Sequence, residues 1–303
     1  MKRFGQHIAT EAGLNRWARV AGHFNLLMCA LLFGAAPGLA QQDGGRAVVP
    51  TVALPNFWET SQRLERPDLS GLRSIRFLTD DDYPPMHFTT EDGKLAGFNV
   101  DLARAVCDVL NVACTIQARR WDTLLDALAE GRGDAVIASM RASPQLRARH
   151  ALSRPYLRTP GRFVGRAPGT TDMTPETAAG RSVAVVAGSA HEAYVRTFFP
   201  AATVKPFDDL EKALEGFQRS ETEFVFGDGL TLAVWLNGTD GALCCAFAGG
   251  AYTESRWFGE GVVVVMRQNE TVLRRAMDYA LQRVAETGQH AELYLRYFPV
   301  GFY

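Results

Sequence analysis

Small polar and charged side chains gather at the end of one apolar stretch of the sequence. Residues 135–138 form a short apolar run that predicts a buried strand of a parallel sheet, and Ser139 and Arg141 come just after it. Ser143 and Pro144 then predict a helix start, with Ser at the N-cap and Pro at the first helical position. Open α/β sheets bind ligands at the carboxyl end of a strand, where the next helix begins. The free backbone N–H groups at the start of that helix can bind an anion. We therefore expect a ligand site at this turn; an ordinary strand–loop–helix connection is the alternative.

Strands alternate with helices along most of the chain, in two successive runs that begin near residues 72 and 181. The predicted strands include residues 75–78, 114–117, 135–138, 183–186, 224–226 and 259–266. The segment 79–85 is a polar loop that its prolines keep out of any sheet. Alternating strands and amphipathic helices indicate parallel sheets built from βαβ units, so the fold class is α/β.

The amino-terminal segment has the features of a secretory signal peptide. Basic residues precede an apolar run at 26–36 that is too short to span a membrane, and a small-x-small cleavage site precedes Gln41. We predict that residues 1–40 are removed as a signal peptide, and that the mature chain begins at Gln41 without a lipid. Residues 41–71 are then an extended leader that is partly disordered. A short anchor helix is the alternative for residues 1–40, because their basic region is unusually long.

Composition excludes several classes of function. The length of 303 residues allows one large domain or two smaller ones, and the apolar and charged fractions are those of a soluble globular protein. A formal net charge of −1 without any block of basic residues argues against a nucleic-acid binder. Export would place the chain in an oxidising compartment. Its cysteines lack the spacing of a zinc site, so we expect neither a metal nor a cofactor.

The chain resembles the family 3 extracellular solute-binding proteins, the periplasmic polar amino-acid receptors of bacterial ABC importers. The matches follow the family's order and include Asp80 with Tyr83-Pro84-Pro85, then segments 97–103, 121–122, 134–144, 153–156, 188–190 and 227–228. Each motif is weak alone, but their shared order across residues 72–303 is specific. The resemblance implies a two-lobed fold, in which two parallel or mixed sheets are joined by two hinge strands and enclose a cleft. Closure around the ligand by hinge motion is typical of periplasmic binding proteins.

The resemblance also implies the domain limits and one disulfide. The first lobe would comprise residues 72–162 and 251–303, and the second lobe residues 163–250. Cys107 and Cys114 resemble the single disulfide of the lysine/arginine/ornithine and histidine receptors. Adjacent cysteines rarely bond to each other, so we expect Cys244 and Cys245 to be two small buried residues.

The same resemblance assigns ligand contacts to five residues. Tyr83 would cover the apolar part of the ligand, and Asp228 would accept hydrogen bonds from an ammonium group. Ser139 would contact the ligand through its hydroxyl or backbone, and Ser189 lies in the matching turn of the second lobe. Asp80 lies where the family reads cationic side chains. The alternatives are a tyrosine packed beside its prolines, an aspartate that caps a helix and a solvated Asp80.

Three positions depart from the family pattern. Leu146 lies where the family carries the arginine that binds the ligand α-carboxylate, Arg141 replaces a Thr or Ser, and Ala190 replaces a ligand-binding Thr. Either Arg141 supplies the guanidinium, or the ligand lacks an α-carboxylate. We favour an anionic ligand group held by Arg141 and the adjacent helix end, with Asp228 holding a cationic group. Arg147 is one helical step, about 100°, away from the required direction.

These observations predict a monomeric periplasmic receptor that delivers a small polar solute, amino-acid-like, to an inner-membrane ABC permease. It would bind no nucleic acid and would not be an enzyme. One alternative is an enzyme similar to the cyclohexadienyl dehydratases, which would need a buried acid with a raised pKa, such as Asp80, Asp228 or Glu260. Another is a partner or sensor protein of a periplasmic system whose site is degenerate.

Overall fold

A computed structural model describes residues 64–168 and 172–303 of the chain. The proposed signal peptide and most of the leader lie outside the described residues. In the described part of the leader, Leu69 packs against the main apolar core, and the Leu64 N–H donates to the Gln282 side chain at 3.3 Å. The described residues contain no helix long and apolar enough to cross a membrane.

The helices and strands follow the alternation that the sequence predicts. The strands are β1 (Ser74–Thr79), β2 (Asp82–Tyr83), β3 (His87–Thr89), β4 (Leu95–Ala96), β5 (Ala113–Ala118), β6 (Ala135–Val136), β7 (His150–Leu152), β8 (Gly161–Arg166), β9 (Ser182–Val186), β10 (Thr203–Phe207), β11 (Phe224–Asp228), β12 (Cys245–Tyr252) and β13 (Val265–Arg267). The helices are α1 (Phe98–Leu110), α2 (Leu124–Ala129), α3 (Pro144–Arg149), α4 (Ala190–Phe198), α5 (Leu210–Gln218), α6 (Gly229–Asn237), α7 (Ser255–Phe258), α8 (Thr271–Glu286) and α9 (Gln289–Tyr297). A 3-10 turn at Trp121–Thr123 precedes α2.

The first five-stranded sheet has the order β5-β1-β6-β13-β7. Strand β1 runs parallel to β5 and β6, whereas β13 is antiparallel to β6 and β7. Both faces are covered, because alternate residues of β1 belong to different apolar clusters. Phe77 packs with residues of α1, α8 and α9, and Leu78 packs with Leu124 and Leu128 of α2. Burial on both faces explains why the sequence around the central strand β6 is a continuous apolar run.

The second five-stranded sheet has the order β10-β9-β11-β8-β12. Strand β9 is parallel to β10 and β11, and β8 is antiparallel to β11 and β12. Phe163 and Phe226 pack on one face with Tyr194 of α4, and Val164 and Val225 pack on the other face. This sheet is therefore also a layer between two apolar clusters.

The chain passes twice between the two sheets, from β7 to β8 and from β12 to β13. We call the part built on the first sheet the first lobe and the part built on the second sheet the second lobe. The predicted two-lobed α/β fold with mixed sheets is confirmed. The domain limits at residues 162 and 250 stay a prediction.

Three predicted segments differ in the structure. The central strand is shorter than residues 135–138, because β6 ends at Val136 and only the Ile137 N–H continues the pairing, to the Leu78 carbonyl. The loop at 79–85 contains β2, which pairs with β3 ahead of the two prolines. Of the strand expected at 259–266, only Val265 and Met266 fall within β13. Gly259 and Gly261 adopt φ angles of 82° and 117° that interrupt an extended chain, and Val262 forms only isolated bridges outside β13.

Both cysteine pairs are bonded. The disulfide between Cys107 and Cys114, implied by the family resemblance, joins the end of α1 to β5. The expectation for Cys244 and Cys245 is wrong, because these adjacent cysteines form a second disulfide. Successive side chains point to opposite faces only within a strand, and Cys244 lies in the turn before β12, where this alternation does not apply.

Candidate functional site

The turn after β6 is shaped by a buried hydrogen-bond network. Ser139 adopts a left-handed conformation, with φ 56°, and its hydroxyl accepts a hydrogen bond from Asn99 Nδ2 at 2.9 Å. The Tyr156 hydroxyl donates to Asn99 Oδ1 at 2.9 Å, and both Asn99 and Tyr156 are fully buried. The buried network therefore fixes the conformation of the turn that carries Ser139.

Asp80 and His87 form a buried polar pair behind this turn. Asp80 follows β1 and His87 begins β3, and the two residues are 5% and 1% exposed. Asp80 Oδ1 and His87 Nδ1 lie 3.0 Å apart, but they are not aligned as a hydrogen bond. The alternative of a solvated Asp80 does not hold, because the residue is buried.

Burial moves both members of this pair toward their neutral forms. Desolvation, a hydrogen bond with Asp82 and the charges of Asp82 and Asp81 raise the pKa of Asp80 to about 6. Desolvation lowers the pKa of His87 to about 4, so its imidazole is neutral at pH 7. An added positive charge here would favour the ionised form of Asp80.

A cavity of about 920 Å³ opens beside this pair on the first lobe. It is lined by Asp80, Asp82, Tyr83, His87, Trp121, Asp122, Leu125, Ala138, Ser139, Met140, Arg141, Ser143 and Leu146. Tyr83 and Trp121 are 43% and 53% exposed, and both line the cavity with an aromatic side chain. The Tyr83 ring centre lies 5.6 Å from that of His87. Burial and the charge of Asp228 raise the pKa of Tyr83, against a smaller opposite effect of Arg141.

Arg141 connects the cavity to the second lobe. Its Nη2 donates to Asp228 Oδ2 at 2.7 Å and to the Thr159 hydroxyl at 3.0 Å, and its Nη1 donates to the Phe258 carbonyl at 3.4 Å. The side chains of Arg141 and Asp228 are 51% and 17% exposed. Two residues expected to bind opposite charges of the ligand thus bind each other in this structure.

Asp228 also has a structural role at the start of α6. Its Oδ1 accepts from the Thr231 N–H at 3.1 Å, which makes it the N-cap of that helix. His191 of α4 stacks on Phe258 with ring centres 5.2 Å apart. Burial lowers the pKa of His191, while the negative charge of Asp228 opposes the shift and the positive charge of Arg141 adds to it. The charges of Asp228 and Arg141 therefore reach His191 as well as each other.

Leu146 is an apolar part of the cavity wall. Its side chain packs against the cluster that contains Leu124 and Val136. Its backbone N–H donates to Ser143 Oγ at 3.1 Å, which confirms Ser143 as the N-cap of α3. Arg147, the next residue, forms an ion pair with Glu260 and does not line this cavity.

The Ser189 hydroxyl is engaged within the second lobe. It donates to the Val186 carbonyl at 2.7 Å and accepts from the Glu192 N–H at 3.1 Å, so it caps α4. The Glu192 side chain in turn accepts from the N–H of Gly188, the residue before the cap, at 2.7 Å. A ligand contact of Ser189 stays a prediction.

The structure brings most of the proposed site residues together. Asp80, Tyr83, Ser139 and Arg141 line one cavity, and Asp228 reaches it through Arg141. The sequence analysis missed Trp121, Asp122, His87 and His191. The match at 121–122 was a signal for the first two, whereas His191 follows the matched turn at 188–190 and had no signal of its own. Within the described ranges, no group of three or more His, Cys, Asp or Glu residues could hold a metal ion.

Comparison with known proteins shows which family the sequence of this chain matches. Residues 75–300 match the model of the bacterial extracellular solute-binding proteins, family 3. The putative ABC transporter arginine-binding protein 2 of Escherichia coli strain K12 is 29% identical over 229 residues, which cover 76% of this chain and 92% of that protein. The L-arginine-binding protein of Pseudomonas aeruginosa is 26% identical over 242 residues, or 79% of this chain and 93% of the relative.

A solved structure supports the architecture. The L-cystine solute receptor of Neisseria gonorrhoeae, in its unliganded open conformation, aligns with a TM-score of 0.64 at 20% identity. The alignment covers 75% of this chain and 92% of the receptor, so it establishes a shared fold. Because the family model matches most of its length, residues 75–300, the chain belongs to the bacterial extracellular solute-binding proteins, family 3.

Proposed function

We propose that the protein captures a small cationic solute, an amino acid or a related compound, for an ABC importer. The observation that carries this proposal is the cavity of about 920 Å³, whose wall carries the carboxylates of Asp80, Asp82 and Asp122 beside two exposed aromatic rings. A cationic group would pair with Asp80, and the apolar stem of the solute would lie between Tyr83 and Trp121. The arginine-binding relatives favour a solute of this charge.

Ligand capture would use both lobes. Ser139 offers its hydroxyl from the first lobe. Asp228 of the second lobe contacts Arg141 of the cavity wall, and the charges of both reach His191. Closure by hinge motion, as periplasmic binding proteins perform it, would bury the solute between the lobes. The hinge would lie in the two segments between the sheets, residues 153–160 and 253–264, whereas the proposed limits at residues 162 and 250 fall just inside β8 and β12.

The proposed location follows from the sequence and the relatives. A signal peptide over residues 1–40 would export the chain, and several curated relatives are named as periplasmic proteins. The protein would act as a monomer, and its macromolecular partner would be an inner-membrane ABC permease. The relatives are named as binding proteins, which supports a binding role rather than an enzymatic one.

Thermal shift with a panel of solutes tests the proposal. A solute that binds the folded state raises the melting temperature by mass action, and calorimetric titration then gives its Kd. We expect basic amino acids or related amines to give the largest shifts. The variant Asp80→Asn should lose at least tenfold in affinity, whereas Arg147→Ala, which changes a residue outside the cavity, should keep it. If no solute of the panel shifts the melting temperature, the receptor role is wrong and a partner or sensor role is favoured.

One observation favours a second candidate, an enzyme similar to the cyclohexadienyl dehydratases. Asp80 is a buried acid in the cavity, and its pKa of about 6 meets the requirement for a general acid near neutral pH. Incubation of the purified protein with prephenate separates the two functions. Catalytic turnover that is lost in Asp80→Asn would support the enzyme, and saturable binding of a solute without turnover would support the receptor.

A further inference from the structure

The cavity wall has more negative charge than its own side chains neutralise. Asp122 is paired with Arg120, whose Nη2 lies 2.5 Å from the carboxylate. Within the described ranges, neither Asp80 nor Asp82 is paired with an arginine or a lysine. The histidine beside Asp80 is His87, which burial keeps neutral at pH 7. The carboxylates of Asp80 and Asp82 therefore have no cationic side chain as a partner among the described residues.

The cationic side chain of the cavity wall, Arg141, is already bound to protein groups. Of the described residues that line the cavity, Arg141 alone carries a permanent positive charge. Its guanidinium is bound to Asp228, Thr159 and the Phe258 carbonyl. A ligand carboxylate would have to compete for this guanidinium with Asp228, whose side chain is 17% exposed.

The rest of the wall offers no substitute for Arg141. The side chain of Leu146 is apolar and packs into the cluster beneath the cavity. Helix α3 has only six residues, and its Leu146 N–H is already bound to Ser143 Oγ. A ligand carboxylate would therefore lie near Asp80 and Asp82, where like charges repel, without a cation of its own.

We infer that the solute is an organic cation without a carboxylate, such as an alkyl diamine or a guanidinoalkyl amine. This inference rests on the proposed function and refines the class of solute. One ammonium or guanidinium group pairs with Asp80 and Asp82, and the alkyl stem lies against Tyr83 and Trp121. Arg141 neutralises Asp228, so the second lobe demands no ligand ammonium there.

Matched pairs of solutes that differ by one carboxylate test the inference. Calorimetric titration of the full mature chain at pH 7.5 would compare agmatine with arginine, and cadaverine with lysine. We expect the decarboxylated member of at least one pair to bind at least tenfold more tightly. Arginine or lysine binding as tightly as its amine would overturn the inference and leave the receptor role intact. Binding of an uncharged amino acid alone would do the same, whereas absence of any binding would overturn both.

A substitution in the wall gives an independent check. Leu146→Arg would place a free guanidinium at the cavity, so we expect affinity for arginine relative to agmatine to rise at least tenfold. Arg147→Ala is the matched control and should leave this ratio unchanged, because its ion pair with Glu260 lies outside the cavity. An unchanged ratio in a folded Leu146→Arg protein, verified by its melting temperature, would contradict the inference. If that variant does not fold, the matched pairs with the wild-type protein decide alone.

Discussion

Arg141 of the first lobe and Asp228 of the second lobe form an ion pair across the cleft, with Nη2 and Oδ2 2.7 Å apart. Asp228 caps α6 with its other oxygen, so the arginine is tied to the start of a helix in the opposite lobe. This pair links the cavity wall to the relative position of the lobes.

The first prediction concerns the strength of this pair. A double-mutant cycle with Arg141→Ala and Asp228→Asn, measured by urea unfolding, should give a coupling of about 0.5–1 kcal/mol, because the pair is partly exposed. Asparagine also caps helices, so Asp228→Asn preserves the start of α6. The same cycle for Arg147 and Glu260, which are both more than half exposed, should give about 0.3 kcal/mol or less. Equal coupling in the two cycles would show that Arg141 and Asp228 are no more than a surface pair.

The second prediction concerns the pH dependence of stability from Asp80. Its folded pKa of about 6 exceeds the unfolded value of 3.8, so its contribution to stability is present below pH 4 and is lost as pH rises to 6. Relative to wild type, Asp80→Asn should therefore gain on the order of 2 kcal/mol in unfolding free energy between pH 4 and pH 6.5. Denaturant titrations across this range measure it. A difference that is independent of pH would mean that Asp80 ionises normally in the folded protein.

The third prediction concerns His87, whose effect on the pH dependence of stability is opposite in sign to that of Asp80. Its folded pKa of about 4 lies below the unfolded value of 6.5, so its contribution is present above pH 6.5 and is lost as pH falls. Relative to wild type, His87→Gln should therefore become more stable as pH falls from 6.5 to 4. The two variants control for each other, because general effects of pH would give both differences the same slope. If the stability differences of Asp80→Asn and His87→Gln changed with pH in the same direction, the opposite pKa shifts of the buried pair would be contradicted.

The fourth prediction separates the two disulfides. The bond between Cys107 and Cys114 closes a short loop in the unfolded chain, so replacing both cysteines with serine should cost about 2–3 kcal/mol of unfolding free energy. The bond between the adjacent Cys244 and Cys245 removes little unfolded-state freedom, so the matched double serine variant should cost less. Mass spectrometry of unreduced periplasmic protein should find all four thiols blocked to alkylation. Free thiols at Cys107 and Cys114 would rule out their bond.

The fifth prediction uses Trp121 as a reporter of ligand binding. Because its ring is half exposed at the cavity, a bound solute should change its fluorescence and should bind about tenfold more weakly to Trp121→Ala. The fluorescence change should be lost in Trp121→Phe and kept in Trp235→Phe. Trp235 packs in the second lobe with Phe217, away from the residues that line the cavity. A change that persists in Trp121→Phe would assign the signal to another tryptophan.

Local rules of the sequence determined much of this protein. The alternation of apolar strands and amphipathic helices led to the α/β fold, and the apolar run before Ser139 with the Ser143-Pro144 helix start led to the turn that lines the cavity. These features depend on interactions within a few residues, such as the Ser143 cap on Leu146. For the same reason, the aspartate at the end of β11 could be recognised both as a cap and as a site residue.

Only the tertiary structure decided how the site residues are used. Asp228 is 87 positions from Arg141 in the chain, and their pairing depends on how two lobes are placed by separate cores. The left-handed turn at Ser139 is stabilised by the side chain of Asn99, which another helix supplies. Burial shifts the pKa values of Asp80 and His87 toward their neutral forms, and no local pattern encodes that burial. Local sequence limits backbone conformation, whereas charge pairing and desolvation depend on which distant elements pack together.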